Sequence, residues 1–187
     1  ERVPLLVQLP GIGLINGMTI LAAIGDIFRF PTYGHLVGYS GLGASVHESG
    51  QVRRTGRITK QGRRDLRHAL VEAAHIAKQK HPHWRGVYKR LAKRIGKQKA
   101  KVAVARKLLV AVWHSLAREE PARHSTDTQI ACAFFAHAYR VGVRNLPDGL
   151  SATAYTRIQL DRLGIGRELI SIPWGSKRPK LPPSSLV

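Results

Sequence analysis

The residue best suited to covalent chemistry is Ser49, which lies between Glu48 and Gly50. A serine nucleophile needs a group that takes its proton and an exposed backbone that allows in-line attack. Gly50 gives such access, and nearby arginines can stabilise the extra negative charge of a phosphorane-like transition state. His47 and Glu48 are candidate acid or base groups, with simple solvent exposure as the alternative. Ser45 is a weaker candidate nucleophile, and a Ser–Gly pair that only turns a loop is the alternative to catalysis.

A dense run of cations follows this serine within a glycine-rich basic loop, residues 38–64. Guanidinium and ammonium groups bind phosphate oxygens, so the run predicts contact with a nucleic-acid backbone. A solvated basic face is the alternative, and base specificity does not follow from such residues. The predicted nucleic-acid-binding residues are Arg53, Arg54, Arg57, Lys60, Arg63 and Arg64.

Candidate metal ligands are few. His81, His83 and Cys132 have suitable side chains, but their spacing matches no standard zinc pattern, and the proline between the histidines indicates a helix stop. The carboxylates are few and scattered, so no paired-carboxylate or two-metal site is predicted. We therefore expect this chain to bind no metal and no other cofactor.

The charge balance indicates the class of partner. The 187 residues contain 31 Lys+Arg and 11 Asp+Glu, which gives a net charge of +20. Residues 51–110 contain nineteen Lys or Arg but two acids, Asp65 and Glu72, so the positive charge is concentrated in the middle third. Such a field favours a polyanion, and DNA or RNA is the usual one.

A membrane partner and an oxidising compartment are disfavoured. No run approaches the roughly 20 apolar residues that a bilayer helix needs. Cys132 is the single cysteine, which excludes an internal disulfide and suits a cytoplasmic, nucleoid-associated protein. The chain begins at Glu1 and its one methionine is Met18, so we expect a fragment of a longer protein.

The apolar pattern predicts a mostly α fold. A helix, a Gly11-Ile12-Gly13 turn and a second helix form a helix-hairpin-helix-like start, which can hold a phosphate or simply pack. A short irregular hairpin is plausible within the basic loop, with Thr59 as a cap for the next helix. Long amphipathic helices are then predicted at about 61–80, 84–95 and 99–117, followed by shorter ones at 129–143 and 152–163. The predicted units are residues 1–120, a helical extension at 121–172 and a disordered Pro/Ser-rich tail at 173–187.

An ordered series of short motifs runs from about Leu5 to Ala117. The series resembles the C-terminal domain of insertion-sequence transposases of the IS110 family, which includes the bridge-RNA-guided recombinases. The most telling part is the Gly-Arg-Ile-Thr-Lys block that follows a Ser-Gly loop. The motifs are Leu9-Pro10-Gly11-Ile12-Gly13, Ala22-Ala23-Ile24-Gly25-Asp26, Tyr39-Ser40-Gly41-Leu42, Ser49-Gly50, Gly56-Arg57-Ile58-Thr59-Lys60 with Leu66-Arg67, and Leu70-Val71-Glu72-Ala73-Ala74.

The resemblance implies one half of a two-part enzyme. In that family, a RuvC-like N-terminal domain with four acidic residues binds magnesium, and a serine of the C-terminal domain attacks DNA to form a transient phosphoserine link. The family serine precedes a glycine before the Gly-Arg-Ile-Thr-Lys block, a position that Ser49 occupies here. Family members often carry a second serine just before it, where this chain has Glu48.

The family resemblance also implies binding partners, and two other functions remain as alternatives. Its members act on DNA as dimers or tetramers with a guide RNA. This sequence shows neither a strand-rich N-terminus nor an acidic quartet, so we expect no DNA cleavage without the RuvC-like domain. A non-catalytic nucleic-acid-binding module is the alternative function, and a basic protein that binds ribosomal RNA is a third.

Overall fold

The computed structural model describes residues 2–49 and 52–186, and its fold is mostly α, as the sequence predicts. Two antiparallel strands, β1 (Ala44–Ser49) and β2 (Val52–Ile58), interrupt the helices. The helices are α1 (Val3–Val7), α2 (Leu14–Ile24), α3 (Tyr33–Ser40), α4 (Arg64–Lys80), α5 (Pro82–Ile95), α6 (Lys97–Arg118), α7 (Asp127–Val141) and α8 (Ala152–Arg162).

The core is built around α4 and α6. Helix α4 packs against α2, α5 and α6, while α6 also contacts α1 and α3. Their apolar residues recur every three or four positions, which places Leu66 and Leu70 of α4 and Leu108 and Leu109 of α6 in full burial. The indole of Trp113 reaches from α6 to donate a hydrogen bond to the carbonyl of Phe30 at 3.0 Å. The connection before α3 is thereby fixed to the core.

A turn at residues 8–13 joins α1 to α2, and this turn packs on α4. Gly11 has a φ of +89°, and a Cβ atom built there would lie 2.2 Å from the carbonyl oxygen of Ala73. A side chain at this position would therefore collide with the backbone of α4. The close approach explains why a glycine stands at the turn, whether or not the turn also contacts a phosphate.

The segment after α6 is attached to the N-terminus by one buried side chain. Gln8 is 3% exposed, and its amide nitrogen donates to the carbonyls of Leu5 and Glu120. Its amide oxygen accepts from the backbone N–H of Ala122 at 2.9 Å. These hydrogen bonds of Gln8 direct the chain from α6 toward α7. Helix α7 contacts α1 and packs against α8.

Four helices begin two or three residues away from the positions expected from the sequence, among them α6, which begins at Lys97 and not at 99. Helix α4 begins at Arg64, not at 61, because Gly62 has a φ of +148° that no helix contains. Helix α5 begins at Pro82, which suits the first helical position because proline lacks an N–H. Helix α7 begins at Asp127 because Thr126 and Gln129 form a capping box, in which each side chain accepts from the other's backbone N–H.

The tail expected to be disordered is instead packed through residue 186. The guanidinium of Arg157, on α8 and 4% exposed, donates to the carbonyls of Gly166, Leu169 and Pro182. Asp161, one turn later, accepts hydrogen bonds from the backbone and side chains of residues 184–185. Arg157 and Asp161 are shielded from water and therefore need hydrogen-bond partners. The tail supplies these partners, so it is ordered although its composition alone predicts disorder.

Among the described residues, no helix combines the length and the apolar character that crossing a bilayer would require.

The turn against α4 gives a test of the packing. We expect Gly11→Ala to destabilise the fold by about 3 kcal/mol or more, because it adds a backbone collision to the strain of a positive φ. The matched control is Gly164→Ala, at a positive φ with open space, for which about 1 kcal/mol is expected. Urea unfolding monitored by circular dichroism measures both. Equal costs would show that Gly11 is not a contact point.

Candidate nucleic-acid interface

The candidate site is a β-hairpin that leaves the helical body between α3 and α4. The Cα register pairs Val46 with Thr55, His47 with Arg54, Glu48 with Arg53 and Ser49 with Val52. The pairing shifts between Ala44 and Val46, which is the irregularity expected of this hairpin. Ser49 is the last residue of β1, so its backbone lies at the end of the hairpin farthest from the helices.

The base of the hairpin is fixed by close backbone contacts. Gly62 lies so near α3 that a Cβ atom there would be 2.2 Å from the carbonyl oxygen of Tyr39. The N–H of Arg63 donates to that same carbonyl at 3.0 Å, and the N–H of Lys60 donates to the carbonyl of Gly41 at 3.1 Å. Lys60 itself adopts a left-handed backbone, with a φ of +57°. The two strands therefore enter and leave the body at one rigid joint, which we call the α3–α4 joint (residues 39–43 and 59–63).

Arg67 completes the α3–α4 joint. Its guanidinium donates to the carbonyl of Ser40 at 3.0 Å, at the C-terminus of α3. A cation is favourable there because the C-terminal end of a helix carries partial negative charge. Arg67 lies in the first turns of its own helix, α4, where a cation is unfavourable. The structure thus gives Arg67 a positioning role that the sequence pattern did not reveal.

Arg63 and Asp65 form an ion pair beside the joint. The Arg63 Nε–Oδ1 distance is 3.0 Å and its second contact, Nη2–Oδ2, is 2.6 Å. These hydrogen bonds, with a further one from the N–H of Leu66, lower the pKa of Asp65 to about 2. The same carboxylate raises the pKa of Arg63 above its ordinary value. Arg63 is one of the predicted phosphate-binding residues whose side chains the structure describes. Its positive charge is compensated by the carboxylate of Asp65.

The other predicted cations divide between the joint and the hairpin. Arg57, Lys60 and Arg64 are exposed around the base of the hairpin. Arg53 and Arg54 lie on β2, near its distal end. Their side chains, like that of Ser49, lie outside the part of the chain that the structure describes, as do Gly50 and Gln51 altogether. The backbone nonetheless assigns all six cations to the hairpin and the joint that follows it.

The hydroxyl of Ser45 makes a hydrogen bond within the hairpin. This hydroxyl donates to the carbonyl of Arg57 at 3.1 Å, across the irregular part of the pairing. The bond satisfies a carbonyl near the place where the regular strand ladder is broken. This contact gives Ser45 a structural function that does not require catalysis.

The helical hairpin α5–α6 extends the positive surface. Residues 82–118 include no Asp or Glu. The opposite side of this helical hairpin faces the core and includes Val87 and Val104. The exposed cations of α5–α6 are Arg85, Lys89, Arg90, Lys93, Arg94, Lys97, Lys99, Arg106, Lys107 and Arg118. A long surface with one sign of charge is suited to a polyanion.

The histidines considered as zinc ligands belong to an aromatic group. The rings of His83 and His124 stack at 3.5 Å, with Trp84 edge-on to both. Cys132 donates its thiol to the carbonyl of Pro173 instead, at 3.4 Å. Among the side chains that the structure describes, which exclude residues 46–55, no three of His, Cys, Asp or Glu converge as metal ligands.

The hairpin is basic, its first strand ends at a serine, and a helical frame carries it. Residues 3–89 match the model of the Transposase IS116/IS110/IS902 family. The matched segment contains α1 to α4, the hairpin and the first half of α5, so it includes every candidate site residue. This match supports the family that the sequence resembles.

Individual relatives agree with that class. The chain is 32% identical over 125 residues to the pilin gene-inverting protein of Moraxella bovis, covering 65% of this chain and 38% of that protein. It is 31% identical over 123 residues to the transposase for insertion sequence element IS1111A of Coxiella burnetii, covering 62% and 33%. Over 87 residues it is 31% identical to an insertion element IS110 protein of Streptomyces coelicolor, covering 46% and 22%. The chain thus spans less than two fifths of each relative.

The ion pair at the joint predicts the effect of removing one charge. We expect Asp65→Asn to tighten binding to duplex DNA, because Arg63 loses its carboxylate and becomes able to contact a phosphate. The plot of log affinity against log salt should steepen by up to about 0.9. Fluorescence anisotropy across a salt series measures both quantities. Glu72→Gln, on the exposed side of the same helix, is the control with the same charge change. If the two variants have the same DNA affinity and the same salt dependence, Arg63 does not contact DNA phosphate.

The histidine group predicts a loss of stability in mild acid. Burial lowers the pKa of His81, His83 and His124 below 6.5, with further lowering from neighbouring cations. The unfolded chain therefore binds more protons than the folded chain below about pH 6.5, and stability falls as the pH falls through that value. We expect His83→Phe, which keeps the ring contacts, to reduce this pH dependence. Thermal unfolding from pH 7.5 to 5.5 measures it, and an unchanged slope would contradict the assignment.

Proposed function

We propose that this chain is the serine-nucleophile part of a DNA transposase or site-specific recombinase. The observation that carries the proposal is the geometry of the hairpin. Strand β1 ends at Ser49, and cations surround the base of the hairpin at the rigid α3–α4 joint. Its location inside the family-matched segment supports the same reading. The names of the relatives, a gene-inverting protein and a transposase, are consistent with strand exchange between DNA segments.

In the proposed reaction, Ser49 attacks a backbone phosphorus. A bond forms between its Oγ and the phosphorus, and the bond from phosphorus to one deoxyribose oxygen breaks. The serine proton passes to a base, for which the neighbours His47 and Glu48 are candidates, and the departing strand leaves with a hydroxyl. Attack by a hydroxyl of another strand reverses the chemistry and releases the serine. The phosphodiester energy is conserved in the phosphoserine link, so no external energy source is needed.

The cations of the site have separate proposed tasks. Arg53 and Arg54, paired with Glu48 and His47 in the register, are near enough to Ser49 along the hairpin to offset charge on the reacting phosphate. Arg57, Lys60 and Arg64 hold phosphates on either side, which fixes the position of the strand without reading its sequence. Arg63 joins them when a phosphate replaces Asp65. Arg67 keeps the joint closed and does not contact DNA.

The proposed enzyme needs a second part. In the family that the sequence resembles, a RuvC-like domain binds magnesium, which would stabilise charge on the reacting oxygens. We propose that such a separate domain acts together with this chain and supplies the metal-binding carboxylates. We further propose that a guide RNA and a homo-oligomer, a dimer or a tetramer, complete the assembly. The acid-free surface of α5–α6 is available for the additional nucleic acid.

A non-catalytic nucleic-acid-binding module is the second candidate function. The observation in its favour is the engagement of Ser45 in the hairpin backbone, which shows that serines here can be structural. In that case the hairpin and α5–α6 bind phosphate, and Ser49 only turns the chain. The two functions make opposite predictions for the covalent link.

The covalent link gives the decisive test. In the whole recombinase that contains this chain, we expect Ser49→Ala to abolish the protein–DNA adduct and recombinant products, while DNA binding stays within about twofold. Ser45→Ala is the matched control and should retain the adduct, since its hydroxyl is committed to the carbonyl of Arg57. Denaturing gel electrophoresis with labelled DNA detects the adduct. An adduct that persists in Ser49→Ala would establish that another residue is the nucleophile.

A further inference from the structure

The packed C-terminal segment presents a pair of exposed aromatic rings. Tyr139, near the end of α7, and Trp174, in the segment after α8, have nearly parallel rings, 18° apart, with centroids separated by 6.5 Å. Phe135 lies 5.1 Å from each of them at 74° to both. We call Tyr139 and Trp174 the aromatic pair and Phe135 its floor.

The exposure of the three rings separates their roles. Phe135 is 2% exposed and belongs to the core, whereas Tyr139 is 56% exposed and Trp174 is 39% exposed. Burial of Phe135 alone suffices to anchor the segment through the hydrophobic effect. The same effect makes it costly to expose the rings of Tyr139 and Trp174. Exposed aromatic faces that are held in a fixed orientation are the usual means of binding a planar ring.

The aromatic pair is fixed by the backbone. Trp174 and Lys177 exchange two backbone hydrogen bonds of 3.0 Å, and Gly175 between them has a φ of +59°. On one side of this tight turn, the N–H of Ile172 donates to the carbonyl of Pro179, and Ile172 is fully buried. The turn is therefore part of the folded body, and Trp174 meets a ligand with little loss of conformational entropy.

The charge around the pair determines which planar ligand fits. Lys177, Arg178 and Lys180 are exposed on the same turn or just after it, and Arg140 follows Tyr139 on α7. These cations repel a methylated lysine or an arginine, which are the other common ligands of aromatic rings. They attract a ring that carries a phosphate. An unpaired nucleotide has both the aromatic face and the negative charge.

A groove with one further cation begins at Pro173, the neighbour of Trp174. It encloses about 990 Å³ between the turn at residues 9–13 and α7. Lys80 and Arg140 line the groove, as does the N-terminal end of α2. Cationic side chains and the partial positive charge of a helix N-terminus both favour phosphates. A strand whose base contacts the aromatic pair can continue along this groove.

We propose that the aromatic pair and this groove bind an unpaired stretch of a nucleic-acid strand, with one base stacked on Tyr139 and Trp174. The aromatic pair lies outside the segment that matches the transposase family, residues 3–89, whereas one wall of the groove lies within that segment. The proposal rests on the proposed nucleic-acid function, and it gives residues after 120 a role in holding a displaced or looped-out strand. DNA and RNA share the required chemistry, and the test below separates them.

The tryptophan content of the chain provides a direct readout. The chain has three tryptophans, and Trp84 and Trp113 are 7% and 8% exposed. Stacking of a base on Trp174 should therefore quench the exposed part of the fluorescence. The probes are a 15-nucleotide oligothymidine, the matching oligouridine and an abasic DNA strand of the same length. Quenching by the first two but not by the abasic strand is expected, and the stronger binder of the two identifies the nucleic acid.

Substitutions then separate stacking from charge. Trp174→Ala should weaken binding of the base-bearing strands by about five- to a hundredfold and leave the abasic strand unchanged. Trp174→Phe should restore affinity without the fluorescence signal, which also guards against a folding defect. Ile170→Ala, at a residue that is 80% exposed in the same segment, is the control and should change nothing.

Two results would overturn the proposal. If duplex DNA and single strands bind but Trp174→Ala leaves their affinities unchanged, the aromatic pair is not a base site, while the hairpin function stands. If no nucleic acid binds the chain at all, the proposed nucleic-acid function fails together with this site.

Discussion

The whole candidate site depends on the contact between two stretches of backbone at the α3–α4 joint. Gly62 touches the carbonyl of Tyr39 with no room for a side chain, and the neighbouring N–H groups of Arg63 and Lys60 bond to the end of α3. Because α3 packs on α6 and α4 packs on both α2 and α6, the joint transmits the rigidity of the core to the base of the hairpin. The position of Ser49 at the far end of β1 is thereby set by contacts that lie at the other end of the hairpin. The in-line attack that we propose for Ser49 would require such support, since small displacements reduce the rate strongly.

Electrostatics explains much of the remaining architecture. In a chain of net charge +20, several of the few carboxylates form ion pairs with arginines. Asp161 supports the buried Arg157 and the segment that it binds, and Glu119 pairs with Arg162 at 2.6 Å. Asp65 compensates Arg63 in the absence of a polyanion. Residues 82–118 contain no Asp or Glu, so α5 and α6 present a positive surface that is suited to phosphates.

Several features could be predicted from residues alone, and others could not. The turn between the first two helices followed from its two glycines, and a short irregular hairpin was expected within the basic loop. The packed tail was missed because a Pro/Ser-rich composition predicts disorder, whereas its order depends on the buried guanidinium of Arg157 in α8. The role of Arg67 could not be predicted, since sequence spacing does not reveal that its guanidinium lies at the end of another helix. The choice between Ser45 and Ser49 from sequence relied on the following glycine and on family resemblance, and the structure adds the engagement of Ser45.

The sequence by itself determined the class of the fold, the concentration of positive charge and the set of candidate site residues. These properties depend on residue type and local spacing, which are present in the chain before it folds. Tertiary structure decided which cations are compensated, which serine hydroxyl is already bonded, and how Tyr139 and Trp174 come together. They are separated by more than thirty positions, and α8 lies between them. Such pairings arise when buried groups find hydrogen-bond and packing partners across the core, so their geometry follows from the whole molecule and not from any one segment.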